Sequence, residues 1–177
     1  AGETCVFPCA LTLTLDEVIG NSCPGVSDGM IMVSATGGQL GVTFGIGENE
    51  PILAVGTFDD LVGGTYTVNA IDGAGCTASV DVEMAVPDAI TLTASLTESV
   101  SCAGDSDAVI SGEAEGGAGD YTFSLTPNFS ETASDLYFDG LAAGLYTVYA
   151  QDANGCTAQS IAISVAKQSQ AHVVPRG

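Results

Sequence analysis

Basic residues are almost missing from this chain. Of its 177 residues only Lys167 and Arg176 are cationic, against 22 Asp and Glu, so the formal net charge is −20. Phosphate contacts need Lys and Arg, which excludes nucleic acid as a partner. An anionic membrane surface would repel such a chain. Divalent cations and basic partners stay open. The same shortage leaves no trypsin-type cleavage site across residues 1–166, which suits life outside a cell. Trp is absent, and His172 is the one His. A hydrolase needs a base within reach of a nucleophile. The lone His sits in a polar tail, and neither Gly-x-Ser-x-Gly nor a phosphate-binding glycine loop appears, so no enzymatic activity is expected. Acid pairs such as Asp59-Asp60 read as solvated surface. No apolar run approaches ~18 residues, so no membrane insertion is expected. No signal peptide is visible, and Ala1 reads as a mature N-terminus left by signal cleavage.

What is present is alternation and repetition. Hydrophobic residues make up 46%, and 23 glycines punctuate short runs of Val, Ile, Leu, Tyr and Thr with period 2. Disordered acidic tails lack that pattern, and it predicts an all-β chain of many short strands and tight turns. Two passages read almost alike, Leu61 to Cys76 and Leu141 to Cys156: Leu-x-x-Gly-x-Tyr-Thr-Val, then Asp-x-x-Gly-Cys. Each reads as a loop, a strand, a tight turn and a second strand. Gly64 and Gly144 permit a sharp entry through positive φ. A Tyr after a Leu-x-x-Gly corner is the pattern of the tyrosine corner, whose phenol bonds to nearby backbone in immunoglobulin-like sandwiches.

The register extends over the whole unit. At an offset of 79, Cys23 matches Cys102, Asp28 matches Asp107 and Phe44 matches Phe123; one inserted residue then makes it 80, carrying Tyr66 to Tyr146 and Cys76 to Cys156. Self-similarity of this length marks a duplicated domain. The expected architecture is two tandem immunoglobulin-like β-sandwich domains, at residues 11–87 and 90–166. An N-terminal segment (1–10) and a C-terminal tail (167–177) lie outside the repeat. In repeat one, strands are expected near Leu11–Leu15, Met30–Thr36, Val42–Ile46, Ile52–Phe58, Tyr66–Ile71 and Thr77–Met84. Val173 to Gly177 resembles a protease-cleavage tag, or leads on to a further segment.

Six cysteines are spaced in parallel, Cys23 to Cys76 by 53 residues and Cys102 to Cys156 by 54. One bridge within each repeat is expected, with Cys5 and Cys9 forming a small local bridge or reaching another subunit. A zinc site fails for want of a second His and of any Cys-x-x-Cys pair. Stable disulfides imply an oxidising compartment.

The pattern Cys102-Ala103-Gly104-Asp105-Ser106-Asp107, Gly116-Gly117, Tyr121-Thr122-Phe123, Leu141 to Val148 and Asp152 to Ala158 resembles the SprB-type repeat. Repeat one follows it more loosely, with Pro24 after its cysteine and Val42-Thr43-Phe44 for Tyr-Thr-Phe. Such repeats occur in large cell-surface adhesins of gliding Bacteroidetes and in proteins exported by the type IX secretion system. The resemblance implies an extracellular, non-enzymatic role in adhesion or surface fibres.

No cofactor is required by any motif, but calcium is a candidate. Asp105, Asp107, Asp152 and Asn154, with Asp28 and Asp72 in repeat one, could supply hard oxygen ligands, of which Ca²⁺ takes six to eight. A Cys102–Cys156 bridge would bring the two turns together. The alternative is that each Asp caps its own turn. Asn128-Phe129-Ser130 fits a glycosylation sequon. Expected partners are other copies of the chain or neighbouring surface-protein domains, with surface or glycan ligands also open. Two further functions remain beside the adhesive one. The chain could be the subunit of an extracellular filament, joined by exchange of a terminal strand. It could also be a carbohydrate-binding module, a reading weakened by the lack of Trp.

Overall fold

A computed structural model describes residues 9–47 and 53–167. The chain divides into two compact units, Ala1–Pro87 and Asp88–Gly177. Among the described residues all regular structure is β, and no helix is long and apolar enough to cross a membrane.

Among its described residues unit 1 holds six strands, β1 (Thr12–Ile19), β2 (Gly29–Thr36), β3 (Val42–Ile46), β4 (Thr57–Leu61), β5 (Gly64–Asp72) and β6 (Thr77–Met84). They form two antiparallel sheets, ordered β1-β2-β4 and β3-β5-β6. In chain order the first, second and fourth strands thus share one sheet, and the third, fifth and sixth the other. That is the strand allocation of an immunoglobulin-like sandwich. Alternation decides which side of each strand is apolar. Ile31 and Val33 project from β2, and Val68 and Ala70 from β5. They meet Phe44, Phe58, Val82 and Met84 in one core between the sheets. Burying each such aliphatic side chain contributes roughly 1.5–3 kcal/mol.

Unit 2 repeats the plan with β7 (Thr91–Glu98), β8 (Ser106–Glu115), β9 (Thr122–Ser124), β10 (Tyr137–Ala142), β11 (Gly144–Tyr146), β12 (Tyr149–Gln151), β13 (Thr157–Gln159) and β14 (Ile163–Val165). One sheet is β10-β8-β7; opposite it stand β13-β12-β9 and the pair β11-β14. Ile110, Phe123, Val148 and Ala150 take the core places of Ile31, Phe44, Val68 and Ala70. The all-β immunoglobulin-like sandwich expected from the alternation is the observed fold.

The strand expected at Ile52–Phe58 is displaced. Pro51 and Ile52 lie outside the described residues, Leu53 makes only an isolated bridge to Phe44, and β4 runs on through Asp59 and Asp60 to Leu61. Gly56 explains the late start. Its carbonyl accepts from Val33 N at 2.7 Å, and a Cβ there would lie 2.2 Å from the Val33 carbonyl oxygen. The chain thus lies against the β2 backbone at Gly56, directly before β4 begins. Of the two entry glycines, Gly64 has φ of 151°, whereas Gly144 lies outside the positive-φ set.

Candidate functional site in the acidic turns

The repeated Tyr and Asp motifs build the same structures twice. Tyr66 donates its phenol to Val62 O at 2.7 Å, and Tyr146 to Ala142 O at 3.0 Å. Each phenol reaches back over its Gly corner and fastens the loop between β4 and β5, or between β10 and β11, as a tyrosine corner does.

Asp72 and Asp152 are buried at the far ends of β5 and β12. Asp72 Oδ1 accepts from Ala74 N (3.0 Å) and Cys76 N (2.8 Å), and its Oδ2 from Gln39 N (2.9 Å). Asp152 Oδ1 accepts from Asn154 N (3.0 Å) and Cys156 N (2.9 Å), and its Oδ2 from Ala118 N (2.8 Å). Gly75 and Gly155, with φ of 86° and 84°, let the turn close in a region other residues rarely enter. The amide of Gln39, helped by those of Cys76 and Ala74, holds the Asp72 carboxyl below the usual 3.8. For Asp152 burial opposes ionisation, but the Ala118, Cys156 and Asn154 amides outweigh it and the value falls below 3.8.

The second pair of acids stands elsewhere. Asp28 accepts from the hydroxyl and amide of Ser22, and these hold it below 3.8. Asp107 accepts from Ser101 N at 3.0 Å, and the Ser101 hydroxyl donates to Asp105 at 3.0 Å. Asp107 is likewise lowered, by hydrogen bonding from Ser101.

The structure does not bring the two acid groups together. Asp28 precedes β2, and the Gln39 amide that grips Asp72 lies beyond its other end. Eight strand residues at ~3.3 Å each separate them by about 25 Å. The ten residues of β8 likewise part Asp107 from the Ala118 amide that reaches Asp152. Among the described residues no group of three His, Cys, Asp or Glu side chains is placed to hold a metal ion. Each of the four lowered acids instead faces N–H or O–H donors from its own unit.

The same geometry overturns the expected disulfides. Cys76 bonds to Cys9, with Cα atoms 5.5 Å apart, and not to Cys23. Cys23 sits at the Asp28 end of unit 1 and Cys76 at the Asp72 end, too far apart for a bond that needs Cα atoms within ~7 Å. With Cys9 taken, the local Cys5–Cys9 bridge is excluded; Cys5 itself lies outside the described residues. The Cys102–Cys156 bridge is also absent. Cys102 is free and exposed, whereas Cys23 and Cys156 are each disulfide-bonded. The residue that matches Cys9 in register is Asp88, so unit 2 has no cysteine where unit 1 ties down its first strand. The clue was available in that mismatch. His172 lies outside the described residues.

No protein-family model matches the chain, and no curated protein matches it. Among solved structures, it is similar to a C-terminal 282-residue fragment of intimin in complex with the intimin-binding domain of the translocated intimin receptor. The identity is 17% and the TM-score 0.42, over 86% of this chain and 64% of that one. It is also similar to fibronectin(III)-like modules of Clostridium thermocellum CbhA, at 17% identity and TM-score 0.37, over 94% of this chain and 100% of that one. A third likeness is to domains 1–6 of the surface layer protein SbsC, at 15% identity and TM-score 0.35, over 92% of this chain and 28% of that one. The chain thus spans less than two thirds of the intimin fragment. At these scores the likeness is distant, and the fold rests on the strand order itself.

Proposed function

We propose that the chain is an extracellular, non-enzymatic structural and adhesive protein of the bacterial cell surface, built from repeats of the SprB type. The observation that carries this reading is the Cys9–Cys76 disulfide in a duplicated sandwich. A bridge that fastens the first strand to the loop between β5 and β6 belongs to an oxidising compartment. The carboxylates of Asp72 and Asp152 are engaged by backbone amides of their own units. Antibody labelling of intact, unpermeabilised cells that make the protein tests the reading. Surface labelling supports it, and signal only after permeabilisation overturns it.

A second reading, the subunit of an extracellular filament, is favoured by Cys102. Its thiol is exposed at the position where unit 1 has the disulfide-bonded Cys23. Negative-stain microscopy of the native protein separates the two readings: continuous fibres support the filament, and separate short particles the adhesive module.

A further inference from the structure

We propose that unit 2 carries a saccharide-binding groove built on Phe129 and Tyr149, on the face of β12 and β13 turned away from the core. In β12 Ala150 points into the core, so Tyr149 points outward, and Gln159 lies directly across the ladder from it. The Phe129 ring meets the Tyr149 ring edge-on, with centroids 6.5 Å apart. With Pro127, Thr157, Ala158 and Gln159 they line a hollow of about 300 Å³, at the small end of the range for small-molecule sites, roughly 300–1,000 Å³.

Three features point to a neutral polyol. None of the six lining residues is charged, although the chain carries 22 acids. An anion would be repelled by the net charge of −20, and a cation would find no carboxylate here. The Tyr149 phenol, the Thr157 hydroxyl and the Gln159 amide form no hydrogen bond with other described residues, whereas the phenols of Tyr66, Tyr121 and Tyr146 each donate to a carbonyl. These free groups beside two rings match a sugar, whose C–H faces stack on aromatics while its hydroxyls bond amides and phenols. Trp is absent, but two rings set edge-on give two walls in place of one broad platform.

The loop is built to hold the ring. Phe129 has φ of 50°, a conformation bulky residues rarely adopt. Its amide donates to Thr126 O at 3.2 Å. Thr126 is held in turn by hydroxyl contacts with Ser124, which is fully buried, and with Ser130, both at 3.1 Å. Unit 1 is the internal control. In place of Tyr149 it has Asn69, whose side-chain amide donates to Gly47 O at 2.9 Å, and it has no aromatic between Phe44 and Phe58. Sugar binding here does not depend on where the chain resides, so its failure would leave the surface reading standing.

The test is ¹H–¹⁵N NMR of the full chain titrated with lactose, maltose, cellobiose and N,N′-diacetylchitobiose. At least one sugar should move the signals of Phe129, Tyr149, Thr157 and Gln159, including the Gln159 side-chain amide, with dissociation constants of about millimolar order. Signals of Asn69, Thr77 and Ser79 in unit 1 should stay still. Phe129→Gly, at ease at that φ, and Tyr149→Asn, which installs the residue of unit 1, should each weaken binding by about tenfold or more. The proposal is overturned if none of the four sugars moves these signals at about 50 mM, if the shifts persist in both variants, or if unit 1 responds equally.

Discussion

Units 1 and 2 share a plan but close their second sheet differently. In unit 1, β5 and β6 pair without a break from Gly64↔Met84 to Ile71↔Thr77. In unit 2 the same ladder is cut in two, with Gln151↔Thr157 to Tyr149↔Gln159 on one side and Tyr146↔Ile163 to Gly144↔Val165 on the other. Thr77 matches Thr157 at an offset of 80, but Val82, the partner of Tyr66, matches Ile163 at 81. One extra residue has entered the last strand, a β-bulge by its count. Ser160 manages the break. It is buried, its hydroxyl accepts from Val148 N at 3.0 Å, and its own amide donates to Val148 O at 2.8 Å. In unit 1 the equivalent pair is Val68↔Val80, two hydrophobes in a regular ladder. A hydroxyl can stand in for a missing ladder acceptor, so the sandwich tolerates an insertion without opening its core. Ile161, left 85% exposed beside the bulge, shows where the extra residue went.

The largest difference between the units should come from the Cys9–Cys76 bridge, whose first cysteine is matched by Asp88 in unit 2. Replacing Cys9 and Cys76 together with Ser should lower the stability of unit 1 by up to about 4 kcal/mol, the entropy of closing a loop of 67 residues. Calorimetry should show one transition falling while that of unit 2 holds. Next comes Ser160→Ala, which leaves the buried Val148 N–H unpaired at a cost of about 1–3 kcal/mol. That loss should fall on unit 2 alone, together with faster hydrogen exchange at Val148.

Tyr66→Phe and Tyr146→Phe remove one phenol–carbonyl bond each and should cost about 1 kcal/mol apiece. Nearly equal drops in the two transitions would mark the corner as common machinery, and unequal ones would locate a further difference. Acid should act on both units. Asp28, Asp72, Asp107 and Asp152 have folded values below 3.8, so the stability they contribute is present above that value and is lost as pH falls through the folded values. Melting temperatures should therefore decline below about pH 4. Asp72→Asn should flatten the decline of unit 1 and Asp152→Asn that of unit 2. The smallest perturbation is alkylation of Cys102 by N-ethylmaleimide without reductant, which should label that thiol and leave both melting temperatures unchanged.

Short-range spacing made much of this legible. The Tyr-to-carbonyl bond spans four residues and the Asp-to-amide bonds span two and four, so the Leu-x-x-Gly-x-Tyr and Asp-x-x-Gly-Cys passages already contain both partners. Alternation marked the strands at Met30–Thr36 and Tyr66–Ile71, which are β2 and β5 within one or two residues at each end. The disulfides were not legible from their spacing. A separation of 53 residues is the same whether the two cysteines meet or stand at opposite ends of a strand, and only the three-dimensional path of β2 decides. The bulge was hidden for a related reason. Thr157-Ala158-Gln159 and Ile163-Ser164-Val165 each alternate correctly, and the added residue betrays itself only when both are laid against β11 and β12.

The grip on Asp72 and Asp152 has a wider consequence for a chain with two basic residues. Elsewhere an inward-facing carboxylate is commonly neutralised by arginine or lysine. Here peptide dipoles from three neighbouring amides serve as the counter-charge, so a sandwich can keep ionised aspartates at its loop ends while its exterior stays almost free of positive side chains.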